Sequence, residues 1–202
     1  MKIQILIYDG FDDLDAIGPH EVFSKAQDLG EPFFSSLVVL SPPSDIFTSS
    51  GIDLKIKAAL DLQACDLLVI PGGGWANRSE QGAWKEFQKG KIPEVIQQAH
   101  AAGIKIASVC TGALLVAKTG LLKNRPATTH QSAREDLEKL GALVKEQRVV
   151  DEGDILSSGG ITSGIDLALW ILEKFGSAEL SQQVSEQLEY ERSADIWQSK
   201  KG

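Results

Sequence analysis

The sequence is poor in several kinds of residue whose presence would define a class of protein. Its 202 residues include only two cysteines, Cys65 and Cys110, too few for a disulfide framework. The three histidines, His20, His100 and His130, lie far apart along the chain, and without metal-ligand spacing we expect no metal site. No apolar run approaches the roughly 18 residues that a membrane span needs. A disulfide-rich, zinc-binding or membrane-spanning protein is therefore not indicated.

Positive charge is also scarce. Lysine and arginine total 20 against 28 aspartates and glutamates, for a net charge of −8. Nucleic-acid binding requires clustered basic residues, so we expect no nucleic-acid partner. The first apolar run, residues 3–7, is too short for the core of a signal peptide, and Asp9 and Asp12 follow it. We therefore expect a cytoplasmic protein that binds no membrane and acts on a small molecule.

Short apolar runs alternate with helical patterns along the chain, and hydrophobic residues make up 43% of it, enough for one buried core. Buried parallel strands typically read as such continuous apolar runs. The pattern predicts one doubly wound, flavodoxin-like α/β domain over residues 1–190, with a mostly parallel sheet and helices on both faces. A polar tail, 191–202, should be frayed. Strands are predicted at 3–7, 34–40, 67–70 and 104–109, hairpins at 46–56 and 148–157, and helices at 15–29, 93–102, 111–118, 163–175 and 178–190.

The most informative segment is Ser108-Val109-Cys110-Thr111-Gly112, where a predicted strand runs directly into a predicted helix. A sharp turn at the carboxyl end of a strand exposes the side chain there, and the helix amino terminus adds free N–H groups and a positive dipole. Such a position lowers the pKa of a thiol, so Cys110 is a candidate nucleophile in a strained conformation. The alternative is a small buried hydrophobic residue. Cys65 lacks this context and is interpreted as structural.

Two further segments are candidates for the same site. Pro71-Gly72-Gly73-Gly74 follows a predicted strand, and glycines there let backbone N–H groups approach a ligand. The alternative is a plain tight turn. His130 ends the segment Ala127-Thr128-Thr129-His130 and is either a residue of the cleft or a partly buried histidine without a catalytic role.

An acidic segment follows the first predicted strand. Asp15 could lie over the edge of the sheet and act as an acid or base beside Cys110. The alternative is that Asp15 caps the amino terminus of the first helix, a role for which Asp12 and Asp13 are equally plausible. As a cap candidate, Asp12 should tolerate replacement by asparagine with little effect on activity.

Five segments taken together, in chain order, carry a family resemblance. They are Asp15 to Pro19, Pro71 to Gly73, Ser108 to Gly112, Ala127 to His130, and Ser158 to Asp166. In this order they resemble the ThiJ/PfpI superfamily, whose members have a glutamine-amidotransferase-like α/β fold, and the resemblance extends to about residue 190. Five matching segments are far more specific than any one of them.

Details within these segments favour one branch. Many peptidase-like and deglycase-like members have glutamate where this chain has Asp15, and peptidase-like members have histidine where it has Thr111. The pattern looks like the isonitrile (isocyanide) hydratases. It also looks like the amino-terminal domains of certain AraC-type regulators, which continue into a helix-turn-helix domain, whereas this sequence ends at Gly202.

The resemblance implies roles for six residues and a homodimer without any cofactor. The catalytic residues would be the nucleophile Cys110, its acid–base partner Asp15, and Thr111, which lines the pocket. Substrate-binding residues would be Gly72, Gly73 and His130, with backbone N–H groups near the two glycines and Thr111 as donors. Trp75 departs from the family pattern and is expected to narrow or reshape the pocket.

The implied reaction converts an isocyanide to an N-substituted formamide through a covalent thioimidate on Cys110. Two alternatives stay open. A glyoxalase- or deglycase-type enzyme would use the same cysteine to attack an α-oxoaldehyde. A non-enzymatic redox sensor would instead oxidise Cys110 to a sulfinate.

Overall fold

The computed structural model of the chain describes residues 1–199 and arranges them around one central sheet. The strands of this part of the chain are β1 (Lys2–Leu6), β2 (Phe34–Val38), β3 (Ser44–Phe47), β4 (Asp53–Ile56), β5 (Leu67–Ile70), β6 (Lys105–Ser108), β7 (Pro126–Ala127), β8 (Leu143–Val144), β9 (Val149–Asp151), β10 (Ile155–Ser158) and β11 (Ile196–Gln198). The helices are α1 (Asp13–Asp28), α2 (Ala83–Lys89), α3 (Lys91–Ala101), α4 (Gly112–Lys118), α5 (Arg134–Lys139), α6 (Ser163–Phe175) and α7 (Ala178–Gln187).

The central sheet has seven strands in the order β2-β1-β5-β6-β10-β9-β11. The first five of these are parallel to their neighbours, while β9 runs antiparallel to β10. All four residues of β5 are buried, because helices cover both faces of the sheet. Helices α1, α6 and α7 pack together, and α2, α3 and α4 form a second group. This arrangement confirms the predicted doubly wound, mostly parallel α/β fold.

Four parallel strands bring the candidate residues to one edge of the sheet. β1, β5, β6 and β10 all end there, and the loops that follow carry the acidic segment, the glycine turn, the cysteine and a second glycine pair. Ligands of open α/β sheets bind at the carboxyl ends of the strands. The topology therefore assembles one cleft from segments that are far apart in the sequence.

The carboxyl-terminal segment corrects one prediction. β11 pairs in parallel with β9 at the edge of the sheet, and the Asp195 carboxylate accepts a hydrogen bond of 3.1 Å from the backbone N–H of Arg148. The expected frayed tail is therefore wrong for residues 191–199, and residues 200–202 lie outside the described residues. The physical reason is that β9 would otherwise present unpaired backbone groups, which this short apolar strand satisfies.

Both predicted hairpins are confirmed, since β3 pairs antiparallel with β4 and β9 with β10. The sequence interpretation missed α2, α5 and the small β7–β8 pair. In residues 1–199 no helix combines the length and the apolar character needed to cross a membrane.

Candidate active site

Cys110 lies at a strained turn between β6 and α4. Its φ angle is 55°, in the left-handed region that residues other than glycine seldom adopt. The backbone N–H of Cys110 donates to the carbonyl oxygen of Gly159 at 2.9 Å, and the Thr129 hydroxyl donates to the Cys110 carbonyl oxygen at 2.8 Å. These bonds hold the turn in place. The predicted strained conformation is confirmed.

Two glycines allow the end of β5 to pass directly against this turn. A Cβ atom on Gly112 would come 2.2 Å from the carbonyl oxygen of Ile70, and one on Gly72 would come 2.5 Å from the backbone nitrogen of Thr111. No other residue type fits at such distances. The close approach places the glycine turn beside the cysteine.

Asp15 lies in the first turn of α1 and is fully buried. One carboxyl oxygen, Oδ2, accepts a hydrogen bond of 2.9 Å from the backbone N–H of Gly72. The other, Oδ1, is buried without a hydrogen-bond partner of regular geometry in the described residues, and the Cys110 thiol interacts with this carboxyl group. Asp12, not Asp15, occupies the N-cap position. The structure thus brings Asp15 and Cys110 together and excludes the capping role for Asp15.

The electrostatics favour the neutral form of this carboxyl group. Burial raises the pKa of Asp15 well above its ordinary value of 3.8, and the charge of Asp12 raises it further. Hydrogen bonds from Gly72 and Cys110 offset only part of this shift. A carboxylic acid kept protonated in this way can donate a proton to a reacting group.

The pKa of Cys110 corrects a second prediction. The position at the start of a helix led us to expect a lowered pKa, but burial and the neighbouring Asp15 raise it well above its ordinary value. Backbone N–H groups of Thr111 and Ile161 act in the opposite direction. The reason is that the cysteine is only 6% exposed, so loss of solvation outweighs the few donors that a seven-residue helix provides. Burial thus favours the protonated form of both the thiol and the carboxyl group.

The two glycines expected to bind substrate have a different arrangement. The N–H of Gly72 donates to Asp15, and the N–H of Gly73 donates to the Thr111 hydroxyl oxygen at 2.9 Å. Both donors have internal acceptors, so the predicted donation from these glycines to substrate does not fit the geometry. Gly73 still lines the cavity described below. The N–H groups that act on the sulfur belong to Thr111 and Ile161.

A cavity of about 350 Å³ opens above the sulfur, a volume suited to a small ligand. Six of the residues that line it are Asp12, Trp75, Cys110, Thr111, His130 and Ile161. The structure thus brings together the predicted Cys110, Thr111 and His130, with Asp15 buried beside the thiol. Within residues 1–199 no cluster of three or more histidine, cysteine or acidic side chains is arranged to hold a metal ion.

His130 contributes to the wall of this cavity in a fixed orientation. Its Nδ1 atom lies 2.8 Å from the Ser132 hydroxyl and accepts a hydrogen bond from the Ser132 N–H at 3.2 Å. The other edge of the ring packs against Gly160, where a Cβ atom would come 2.2 Å from His130 Cδ2. This glycine makes room for the ring.

Trp75, flagged by the sequence as a departure from the family pattern, is a buried wall of the cavity. Its Nε1–H group donates to Asp136 at 2.8 Å. The ring packs edge-on against Trp84 and Phe87, with centroids 5.2 Å away in each case. Arg78 also binds Asp136, at 2.8 Å. These contacts fix the indole, so the ring limits the size of the cavity.

Asp12 is the residue of the site that sequence reasoning missed. It was interpreted as a helix cap, but its side chain makes no capping hydrogen bond of regular geometry. It lines the cavity instead, and its charge raises the pKa of both Asp15 and Cys110. The available signal was its position three residues before Asp15, at the start of the same helix.

The fold and this site define a class of protein: a doubly wound α/β protein with a cysteine at a strand-to-helix turn and an acidic partner from the first helix. The chain belongs to the DJ-1/PfpI family, whose profile matches residues 1–174.

Individual relatives fall into more than one functional group. The chain is 30% identical to an isonitrile hydratase of Pseudomonas putida over 191 residues, which cover 94% of this chain and 78% of that protein. It is 26% identical to a glutathione-independent glyoxalase DJ-1 of Schizosaccharomyces pombe, over 89% of this chain and 93% of the relative. A ThiJ/PfpI family protein from Pseudomonas syringae has a similar solved structure, with a TM-score of 0.79 at 24% identity, covering 95% of this chain and 76% of that one. The last similarity shows the fold.

Proposed function

We propose that this protein is a cysteine-dependent hydratase that converts an isocyanide to an N-substituted formamide. The observation that carries the proposal is the Asp15 carboxyl group, which is buried with a raised pKa beside the Cys110 thiol at the base of a small cavity. Addition to an isocyanide needs a nucleophile and a proton donor at the same carbon atom. A relative named as an isonitrile hydratase, similar over 94% of this chain, supports the assignment.

The first half of the reaction forms a covalent intermediate. The Cys110 sulfur attacks the terminal carbon of the isocyanide, and Asp15 gives its proton to that carbon while it takes up the thiol proton. The product is a thioimidate, R–N=CH–S–Cys110, with no atom left over. Splitting a difficult addition into two easier steps is the usual gain from a covalent nucleophile. A raised thiol pKa is compatible with this step because the proton moves as the bond forms.

The second half releases the formamide. Asp15, which is protonated again after the first half, gives its proton to the thioimidate nitrogen as the water oxygen adds to the carbon, and it takes up a proton from that water. The tetrahedral adduct, R–NH–CH(OH)–S–Cys110, then collapses to R–NH–CHO and the thiol. Backbone N–H groups of Thr111 and Ile161, which lower the pKa of the sulfur, stabilise negative charge on it during attack and departure.

A second candidate is the glyoxalase reaction, which one observation favours. His130 lines the same cavity as Cys110. After addition of the cysteine to an α-oxoaldehyde, a base must carry a proton between adjacent carbon atoms, and an imidazole suits that task. The relative named as a glyoxalase belongs to the same family.

The test compares an aryl isocyanide with methylglyoxal as substrates for the same protein. Formation of the N-aryl formamide, followed by chromatography, is expected in the parent and should be abolished in Cys110→Ala. The matched control is Cys65→Ala, which removes a buried thiol with a pKa raised by burial to about 11 and should keep activity. Lactate from methylglyoxal without any formamide would favour the glyoxalase reaction.

A further inference from the structure

The lining of the cavity above Cys110 contains an acidic side chain and, within the described residues, no lysine or arginine. Its lining includes several polar side chains, among them Asp12, Thr48, Ser49, Asn77, Gln81 and Ser132. A ligand in this cavity therefore meets hydroxyl and amide groups, one carboxylate and the imidazole of His130, with no lysine or arginine from the described part of the chain to receive a negative charge.

Asp12 has few partners within the described residues: the backbone N–H of Leu14 interacts with its carboxyl group, and His130 lies close enough to interact with its charge. Its side chain makes no regular capping bond, and it takes part in none of the ion pairs found within residues 1–199. The arginines closest in sequence to residues of the lining are paired elsewhere, Arg78 with Asp136 at 2.8 Å and Arg134 with Glu146 at 3.4 Å. The carboxylate of Asp12 is therefore available to a ligand.

We propose that Asp12 is a specificity-determining residue, and that it selects small substrates whose substituent carries a positive charge. The carboxylate lies in the same cavity as the reacting sulfur, so the substituent of a substrate bound to Cys110 passes beside it. Carboxylate-bearing substrates are rejected by the same charge. The identity of the reacting group, an isocyanide, rests on the proposed function, but the charge selection does not.

The test uses charged thiol reagents in place of substrates. In a Cys65→Ala background the Cys110 sulfur attacks a methanethiosulfonate, forming a mixed disulfide and releasing methanesulfinate. The rate constant for modification of Cys110 is measured with the cationic 2-aminoethyl and the anionic 2-sulfonatoethyl reagents. Each value is divided by the rate constant of the same reagent with free 2-mercaptoethanol, and the normalised ratio is the cationic quotient divided by the anionic one. Any change in the ionisation of Cys110 affects both reagents equally and cancels in the ratio.

The cationic reagent should be favoured about tenfold or more, the effect of one unit charge several ångströms from the reagent. Asp12→Asn should bring the normalised ratio close to one. The matched control is Glu80→Gln, which removes a carboxylate from the loop between β5 and α2, where the neighbouring Ser79 and Gln81 line the same cavity. The Glu80 side chain is 90% exposed and paired with Lys85 at 2.8 Å, so its replacement should leave the ratio unchanged because solvent and salt screen it. A ratio near one in the Cys65→Ala background, or one that Asp12→Asn does not change, would overturn the inference.

A second arm separates this inference from the proposed reaction. It compares kcat/KM for a cationic dimethylaminopropyl isocyanide and the anionic isocyanoacetate, with the cation expected to be preferred about tenfold and the preference lost in Asp12→Asn. Equal hydration of both isocyanides refutes charge selection and leaves the hydratase proposal intact. Failure to hydrate either compound, with the reagent ratio still dependent on Asp12, refutes the hydratase proposal and leaves charge selection intact.

Discussion

Replacing Asp15 with asparagine should change the stability of the protein in a pH-dependent way. Below its ordinary pKa of 3.8, Asp15 is neutral in both the folded and the unfolded chain. Above that pH the unfolded chain releases the proton, while the folded chain retains it because burial raises the pKa. The parent therefore loses about 1.4 kcal/mol of unfolding free energy per pH unit until the pH reaches the folded-state pKa. Asparagine does not titrate and avoids this loss.

The contacts of Asp15 add a second, pH-independent contribution. The asparagine side-chain oxygen can still accept the 2.9 Å bond from Gly72. Its amide group would then lie where Oδ1 has no regular partner within residues 1–199, at a cost of about 1–3 kcal/mol for an unsatisfied buried donor. The variant should thus be the less stable protein at pH 3 and should gain on the parent by about 1.4 kcal/mol per pH unit above pH 4.

Urea denaturation of both proteins between pH 3 and pH 7 measures this difference. Asp136→Asn is a contrasting control, because hydrogen bonds from Trp75 and Arg78 lower the pKa of Asp136. Its carboxylate contributes stability that is complete above about pH 4 and is lost as the pH falls through the lowered pKa, so that variant should fall further behind the parent between pH 3 and about pH 4 and then stay level. A stability difference for Asp15→Asn that does not vary with pH would mean that the buried acid is ionised, and the reasoning on its neutral form would be refuted.

Three further substitutions test the surroundings of the pair. Asp12→Asn removes a charge that raises the pKa of Asp15. Because the reaction needs protonated Asp15, the alkaline limb of the pH–rate profile should move to lower pH, whereas replacement of a mere helix cap should have almost no effect. Trp75→Phe removes the 2.8 Å bond to Asp136 and should lower the unfolding free energy by about 1–2 kcal/mol, measured by urea denaturation. Gly160→Ala would place Cβ 2.2 Å from the His130 ring; it should cost about 1–3 kcal/mol and shift the His130 NMR resonances, and unchanged resonances would contradict the packing.

The elements that the sequence predicted well are those with a strong local pattern. β5 is a continuous apolar run bounded by a glycine turn, and both its limits match the prediction, as do those of α6. α2 and α5 were missed because each has at most seven residues, which is too short for a clear helical period. β11 was missed because its three residues become a strand only through pairing with distant β9.

In the candidate site, too, the features that depend on local sequence were predicted and those that depend on distant segments were not. The turn at Cys110 and the pairing of Cys110 with Asp15 were predictable from two short motifs, Ser108 to Gly112 and Asp15 to Pro19. The direction of the thiol pKa depends on burial by distant segments, which no local pattern contains. The same holds for the N–H groups of Gly72 and Gly73, whose acceptors come from α1 and from the residue before α4. Asp12 looks like a cap in sequence, and only the fold turns it towards the cavity.

The central claim, that Asp15 and Cys110 act together on an isocyanide, is tested most directly by the turnover of Asp15→Asn. Formamide release from an aryl isocyanide is measured in the steady state for parent and variant, with circular dichroism to confirm that both are folded. The loss of a proton donor and acceptor should reduce turnover by about 10²–10⁴-fold, while Cys110 is still present to form an adduct detectable by intact mass. Full activity in the folded Asp15→Asn protein would contradict the account.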